Sequence, residues 1–357
     1  QFILTPLAVA ANEMDAVDDR VYKLEKSTEN RSPVLPMDAS KFRLGGFLTS
    51  THTTLIKPDD EDEGTFNTNR FELLIGLDLS ENLEFFTAFG IISQSLLQNK
   101  DSVDRTYSTK GGDPAQGNRD NPVPLIISHG TWKWNRYANL KFGRFVAPIG
   151  IINIEHFPPG LFLESPPQFL RAPVPGGVFW DHFLNGVDFF GTLGLGGSKL
   201  EYHFNYSTFS FMPAPRPLAG FPTQEILGGR LAFTFLNDHI TLGTSYQAGE
   251  RIRAFANTGV DLLVNWGGFN LKVESVSSKE EELEDSDPQV MNPTDKTGMY
   301  VQPSYAVLDN VRLVFRYDVY DSNIDDDADQ FITENVFGVN WLPDPLLRLR
   351  AEYKDVK

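Results

Sequence analysis

The feature that most constrains the fold of this chain is an alternation of apolar and polar residues that recurs through most of its length. In VRLVFRYDVYD, for example, Val311, Leu313 and Phe315 occupy one phase, and Arg312 and Arg316 occupy the other. Successive side chains of a β-strand point to opposite faces, so each such segment predicts a strand with one apolar and one polar face. About fifteen such segments follow one another, without the helical patterns that a parallel sheet needs between its strands.

The connections between these segments alternate in length. Short ones rich in Asn, Asp, Gly and Pro, such as Ser80–Asn82 and Asn265–Gly267, are followed by long ones, several of them acidic. The short ones have the residues that tight turns require. Bacterial transmembrane β-barrels have short periplasmic turns and long external loops. The pattern therefore predicts an all-β fold, a transmembrane antiparallel up-and-down β-barrel; a soluble β-sandwich or β-helix is the alternative.

The positions of tryptophans and charges favour the barrel over the soluble alternative. Trp132, Trp134, Trp266 and Trp341 stand beside short turns, where the aromatic girdles of membrane proteins lie. The polar phase carries charges of both signs, which suits a wet lumen better than the interface with a second packed sheet. The segments are also close to the roughly ten residues that a tilted membrane-spanning strand needs.

The number of strands raises a question about the two ends of the chain. Bacterial barrels have an even number of strands, so we expect sixteen, although about fifteen are identified in residues 41–357. We expect a last loop and a sixteenth strand to be missing; alternatively, Phe2–Ala11 supplies the closing strand. Phe2–Ala11 also reads as the end of a signal peptide, and Asn12–Ser27 has helical spacing. The predicted organisation is an N-terminal segment (1–40) with a short periplasmic helix, followed by the barrel (41–357).

Composition excludes several classes of function. The net charge of −17 argues against generic nucleic-acid binding, and the absence of Cys excludes disulfides and thiolate metal sites. No apolar run is long enough for a transmembrane helix. The chain has no metalloprotease, nucleophile-elbow or phosphate-loop motif, so we expect neither an enzyme nor a cofactor. The acidic runs Asp59–Glu63 and Asp325–Asp329 could hold divalent cations together with lipopolysaccharide phosphates, or could be solvated loops.

The third long connection, Gly143–Gly177, is apolar and rich in proline. A sixteen-strand barrel has a lumen too wide for side chains to fill. We therefore expect this loop to fold inward and narrow the lumen; packing against outside neighbours is the alternative. Its polar groups, which could set the constriction, are Glu155, His156, Glu164, Gln168 and Arg171.

The phase of each strand also predicts which basic residues face the lumen. A cation on the lipid face near the membrane centre would cost about 2–4 kcal/mol, so basic residues of the polar phase are assigned to the inside. Four of them form a basic strip that predicts a weak preference for anions. This strip comprises Arg312, Arg316, Arg348 and Arg350; the other predicted pore-lining residues are Lys141, His203, Arg230 and Lys272. Arg144 has the apolar phase, and it needs either a β-bulge or a position above the bilayer.

The segment LKFGRFVAPIG (140–150) resembles a motif of the phosphate-selective porin O/P family, in which a strand runs into the inward loop. Gly143, Arg144, Phe145, Pro148 and Gly150 match it, and the following NGVDFFGTLG resembles the next strand. The resemblance implies sixteen strands, a homotrimer and anion passage. Phosphate selectivity in that family depends on an arginine ladder and a lysine cluster, whereas the inward loop here, from Pro148 to Gly177, has Arg171 and no Lys.

These features together predict an outer-membrane porin of a Gram-negative bacterium, in contact with lipid and lipopolysaccharide. It would form a water-filled channel through which small hydrophilic solutes or ions diffuse. The alternative is a scaffold barrel that binds or houses another envelope or electron-transfer protein.

Overall fold

A computed structural model describes residues 2–5, 41–55, 63–94, 125–155, 162–163, 165–170, 182–208, 225–250, 254–280, 295–321, 324, 331–344 and 346–357. Within these ranges the chain forms sixteen strands. They are β1 (Phe2–Thr5), β2 (Phe42–Leu55), β3 (Glu63–Ser80), β4 (Leu83–Gln94), β5 (Leu125–Lys133), β6 (Asn139–Val146), β7 (Phe183–Leu195), β8 (Ser198–Thr208), β9 (Glu225–Phe235), β10 (Ile240–Glu250), β11 (Ala254–Trp266), β12 (Phe269–Glu280), β13 (Lys296–Leu308), β14 (Val311–Asp321), β15 (Phe331–Asp344) and β16 (Leu347–Val356).

Each strand pairs with its sequence neighbours in an antiparallel up-and-down order, and the sheet closes into a barrel. Closure is made by β1, which pairs with β16 through Phe2 opposite Ala351 and with β2 through Phe2 opposite His52. In lipid, unpaired backbone groups at the two sheet edges would be costly, and β1 pairs with both. In this structure the sheet is therefore closed by the N-terminal residues, which is the alternative raised from the sequence.

The division of the chain at residue 40 stays a prediction. Within the predicted N-terminal segment, residues 2–5 pair with the barrel sheet. The predicted helix over Asn12–Ser27 lies outside the described residues. Among the residues that are described, no helix is long and apolar enough to cross a membrane.

The two faces of the sheet differ in polarity as the alternation predicts. On the outer face, large apolar side chains such as Phe204, Leu227 and Val260 are exposed. On the inner face, charged side chains such as Asp188 and Arg316 are fully buried. An apolar outer band and a polar interior are the arrangement that a barrel needs in lipid.

Apart from the three-residue β10–β11 connection (251–253), the short connections lie at one end of the barrel. The β7–β8 and β11–β12 turns each have two residues, and Gly196 and Gly267 adopt φ values of 69° and 58° in them. Two-residue hairpin turns require such positive φ angles, which glycine adopts without a steric penalty. The predicted asymmetry of short and long connections is confirmed.

Arg144 lies next to a β-bulge. The β4–β5 register shifts between Ala88 and Phe89, which pair with Ile127 and Leu125 and leave Ile126 without a partner on β4. The Nε atom of Arg144 donates to the carbonyl of Ile126 at 2.8 Å, and its guanidinium lies over the Phe183 ring. An out-of-phase arginine is thus accommodated by backbone that the bulge releases.

The third long connection, between β6 and β7, folds into the barrel as predicted. Its described parts (147–155, 162–163 and 165–170), here called the inward loop, pack on the inner face of the sheet. Ile149 and Phe169 of the loop are fully buried in one cluster with Phe145, Val276 and Tyr300 of the wall. This packing explains why the loop is apolar, since its side chains are removed from water.

Candidate functional site

The candidate site is the lumen at the level of the inward loop. The loop first reaches the opposite wall at Gly150, which has a φ of 64°. Its amide donates to Ser245 Oγ at 3.1 Å, and its carbonyl accepts from Arg230. A Cβ atom at this position would lie 2.0 Å from Glu274 Oε1. Glycine is therefore required here both for its conformation and for the close approach to the wall.

A group of buried polar side chains receives this first contact. Arg230 pairs with Asp261 at 2.7 Å, so the cation that binds the loop carbonyl is neutralised by its neighbour on β11. The Ile151 amide donates to Glu274 Oε2 at 3.1 Å, and the Tyr300 hydroxyl donates to the same oxygen at 3.2 Å. Buried charges persist when they are paired and hydrogen-bonded in this way.

The second contact is centred on Arg316, whose side chain is 1% exposed. It donates to the carbonyls of Ser165 and Pro166 at 2.5 and 3.1 Å. It also lies 3.1 Å from Asp318 and 3.1 Å from Glu334. One guanidinium, with its planar set of five donors, thus joins two strands of the wall to two successive loop carbonyls.

Wall carboxylates also hold the loop directly. Asp318 accepts from the Gln168 amide at 3.2 Å, and Glu334 accepts from the Gln168 side chain at 2.9 Å. Glu352 accepts from Ser165 Oγ at 2.8 Å. The loop is therefore fixed to the wall from β14 to β16 by its backbone as well as by its side chains.

Two strand glycines make room for loop side chains. A Cβ at Gly298 would lie 2.6 Å from Cβ of Phe169, and one at Gly338 would lie 2.4 Å from a methyl of Leu163. Neither glycine was predicted from the sequence to belong to the site. An isolated glycine within a strand is a signal for close approach of another segment.

Phe162 of the loop lies between two cations of the wall. Lys272 Nζ is 4.5 Å from the centre of its ring, and the Arg312 guanidinium is 4.7 Å from it. Lys272 also forms an ion pair with Glu155. Burial raises the pKa of Glu155 above its ordinary value, and the nearby Lys272 ammonium opposes this shift.

The predicted constriction residues can now be placed. Glu155 and Gln168 are both in contact with the wall, as described above. His156, Glu164 and Arg171 lie outside the described residues. The acidic runs are outside them too, apart from Glu63 at the start of β3, whose side chain is not described.

The predicted pore-lining residues fall on two walls. Arg230, Lys272 and Arg316 bind the inward loop, and Arg350 is buried at 1% exposure. Arg312 and Arg350 share one level, because both lie opposite Asn340. The four arginines therefore do not form one exposed strip, since Arg316 and Arg350 are buried and Arg312 and Arg348 are partly exposed. Lys141 and His203 belong to the other wall, on β6 and β8.

The fold is that of the β-barrels of the Gram-negative outer membrane. The chain is similar to OmpF of Salmonella typhi in complex with daunomycin (10% identity, TM-score 0.54, 88% of this chain and 97% of that chain). It is also similar to OmpT, an outer membrane protein of Vibrio cholerae (12%, 0.52, 91% and 89%). A third similar structure is the outer membrane channel DcaP of Acinetobacter baumannii (10%, 0.51, 90% and 92%).

No protein-family model matches the chain, and no curated protein does. The resemblance to the phosphate-selective porin O/P family therefore stays a prediction. At identities of 10–12%, the similar structures establish the fold alone.

The close contact between Gly298 of the wall and Phe169 of the loop leads to the first prediction. Replacing Gly298 by Ala puts a methyl group in contact with the backbone-proximal atoms of Phe169, which cannot move without the loop. We expect a loss of about 1–3 kcal/mol in the free energy of unfolding, as for other overpacked cores. Unfolding in detergent micelles, followed by tryptophan fluorescence, measures it. Gly45→Ala is the matched control, because a Cβ at Gly45 meets nothing within 4 Å. Equal stabilities of the two variants would contradict the close packing of Phe169 against Gly298.

The second prediction concerns Arg316. Arg316→Met leaves two buried carboxylates without their shared cation, and breaking a buried ion pair in this way costs about 3–5 kcal/mol. The control is Arg43→Met, which removes an ion pair with Asp78 whose side chains are 60% and 43% exposed. Exposed pairs of this kind contribute about 0–1 kcal/mol. If both variants unfold at the same denaturant concentration, Arg316 does not fix the loop.

The third prediction follows from the raised pKa of Glu155. A carboxyl group whose folded pKa exceeds its unfolded value of 4.5 contributes most to stability below that value. Its contribution is lost as the pH rises through the folded pKa. The stability of the wild type relative to Glu155→Gln should therefore fall as pH increases across this window. Unfolding midpoints over a pH series that brackets 4.5 test this, with Glu201→Gln as the control on the exposed inner wall. A constant difference across the series would refute it.

Proposed function

We propose that this protein is a porin of the Gram-negative outer membrane, through which small hydrophilic solutes or ions diffuse passively. The observation that carries the proposal is the inward loop, which is fixed to the inner wall of a closed, externally apolar barrel by buried ion pairs and hydrogen bonds. A barrel of sixteen strands needs such an element to restrict its lumen. A loop held by many strands keeps its place while solutes pass. No bond is made or broken in this activity.

The same geometry supports a preference for anions, on a different basis from the four-arginine strip. Most inward cations of the described wall have a carboxylate partner, for example Lys133 with Glu84 at 2.6 Å. Lys141 and Arg312 contact aromatic rings and have no carboxylate within ion-pairing distance among the described residues. Cations without a carboxylate partner produce a positive potential close to them, which favours anions that pass these positions.

We further propose that the protein assembles as a homotrimer in contact with lipid and lipopolysaccharide. The support is the similarity to OmpT of Vibrio cholerae, which has been solved in a trimer form, and the apolar outer face of the barrel. Binding of divalent cations at the acidic runs remains a prediction from the sequence.

The direct test is conductance of the purified, folded protein in a planar bilayer under a KCl gradient. We expect stepwise conductance and a reversal potential that favours chloride. The double variant Lys141→Gln, Arg312→Gln should shift this potential toward potassium, because it removes the two unpaired cations. Heat-denatured protein is the control for leakage through the bilayer.

The possible outcomes separate the proposals. A potassium-favouring potential in the wild type would refute anion preference and keep the porin. Absence of conductance from a folded barrel would refute the channel and favour the scaffold barrel.

A further inference from the structure

The wall formed by β6–β8 contains a lysine whose surroundings differ from those of the other inward cations. Lys141 is partly buried, and its ammonium makes neither a hydrogen bond nor an ion pair with any described residue. Its contacts are with two aromatic rings. Nζ lies 5.6 Å from the centre of the Phe145 ring and 5.3 Å from that of Phe190. An ammonium group has three donors, so this position has hydrogen-bonding capacity that the wall does not use.

Neither of the nearest carboxylates forms an ion pair with Lys141, although Oδ1 of Asp188 has no hydrogen-bond partner among the described residues. Asp188 lies directly opposite Lys141 on β7, yet it accepts from His203 Nδ1 at 2.9 Å. Glu84 pairs with Lys133. Because the Lys141 ammonium forms no ion pair with a described residue, an anion that enters the lumen can bind it without breaking one.

The rings beside Lys141 define what kind of anion fits. Phe145 is fully buried beneath the inward loop, whereas Phe190 and His203 are partly exposed on the inner face. These two rings stack with centroids 5.3 Å apart and planes at 6° to each other. A strongly hydrated anion such as phosphate would lose water beside these rings without gaining a favourable contact with them. A carboxylate attached to a planar ring would place oxygens at the ammonium and its ring against the aromatic pair.

We propose that Lys141, Phe190 and His203, here called the Lys141 subsite, bind aromatic carboxylates on their way through the lumen. The proposal rests on the porin function, and it assigns that function a class of solute. The ammonium of Lys141 binds the carboxylate, and the Phe190–His203 pair contacts the ring. This subsite lies on β6–β8, eight strands around the barrel from β14–β16, which hold Ser165 and Gln168 of the loop.

The test is block of the single-channel current by benzoate, acetate, phosphate and benzyl alcohol, each at low ionic strength where charge interactions are least screened. Benzoate should block at a concentration about three to ten times lower than acetate, because aromatic ring contacts contribute about 0.5–1.5 kcal/mol. Lys141→Met should weaken benzoate block about tenfold or more, since hydrogen bonds to charged groups contribute about 1.5–3 kcal/mol. Phe190→Leu should remove the advantage of benzoate over acetate and leave acetate block unchanged.

Two further variants control for charge and folding. Lys133→Met removes an equal charge from the adjacent strand, and it should keep the benzoate block. The chain has no cysteine, so Lys141→Cys can be modified at one site with an aminoethyl methanethiosulfonate, which rebuilds an ammonium group. This modification should restore the block that Lys141→Cys loses, and a restored block shows that the variant barrel is folded.

Three outcomes would overturn the subsite while the channel stands, since KCl conductance is recorded in every experiment. They are equal block by benzoate and acetate, stronger block by phosphate than by benzoate, and a benzoate block that Lys141→Met leaves unchanged. Block by benzyl alcohol as strong as that by benzoate would exclude a role for the charge. If no conductance is seen, the porin proposal fails. Saturation-transfer NMR of benzoate with the folded barrel in micelles then tests the subsite independently, and absence of binding refutes it.

Discussion

The constraint on which the rest of the site depends is the burial of Arg316 between two carboxylates and two loop carbonyls. An isolated charge inside a barrel would be costly, but Asp318 and Glu334 balance the guanidinium, and the carbonyls of Ser165 and Pro166 use its remaining donors. Each partner is needed because the others are buried. The arginine therefore fixes this part of the loop, because moving the loop away would remove two acceptors of the buried guanidinium.

The same principle explains why a charged wall can support an apolar loop. The wall residues beneath the loop pair with one another or with loop backbone, as Arg230 does with Asp261 and with the carbonyl of Gly150. Once the polar groups are satisfied, the side chains of Ile149 and Phe169 can pack on the wall as they would in a protein core. The proline-rich sequence suits this role, because proline removes amide donors that burial would leave without acceptors.

Much of this fold could be predicted from the sequence, because each strand has its own period-two pattern and each tight turn its own residues. Val311–Asp321, for example, has the same bounds in the sequence analysis and in the structure. The inward loop was also predictable, from its apolar composition in a barrel too wide to fill. The closing strand Phe2–Thr5 was recognised as an alternative only, since four residues are too few to establish a period.

The functions of individual inward residues could not be predicted, because phase gives the direction of a side chain but not its partners across the lumen. Arg316 and Arg312 have the same phase on one strand, and one is buried by the loop while the other is partly exposed.

The inner surface therefore contains two kinds of charged group, those that bind the inward loop and those that are available to solutes. On β9, β10, β12, β14, β15 and β16 the polar groups bind the loop, so their charges are neutralised and their positions fixed. On β6–β8, Phe145 and Leu184 pack in the cluster that contains the loop, and the wall also carries the Lys141 ammonium, whose described contacts are two aromatic rings. A charge that stabilises a loop must be paired, whereas a charge that acts on passing solutes must have donors available. Selectivity in such a channel is thus expected from Lys141 and Arg312, the inward cations that contact aromatic rings and have no carboxylate partner among the described residues.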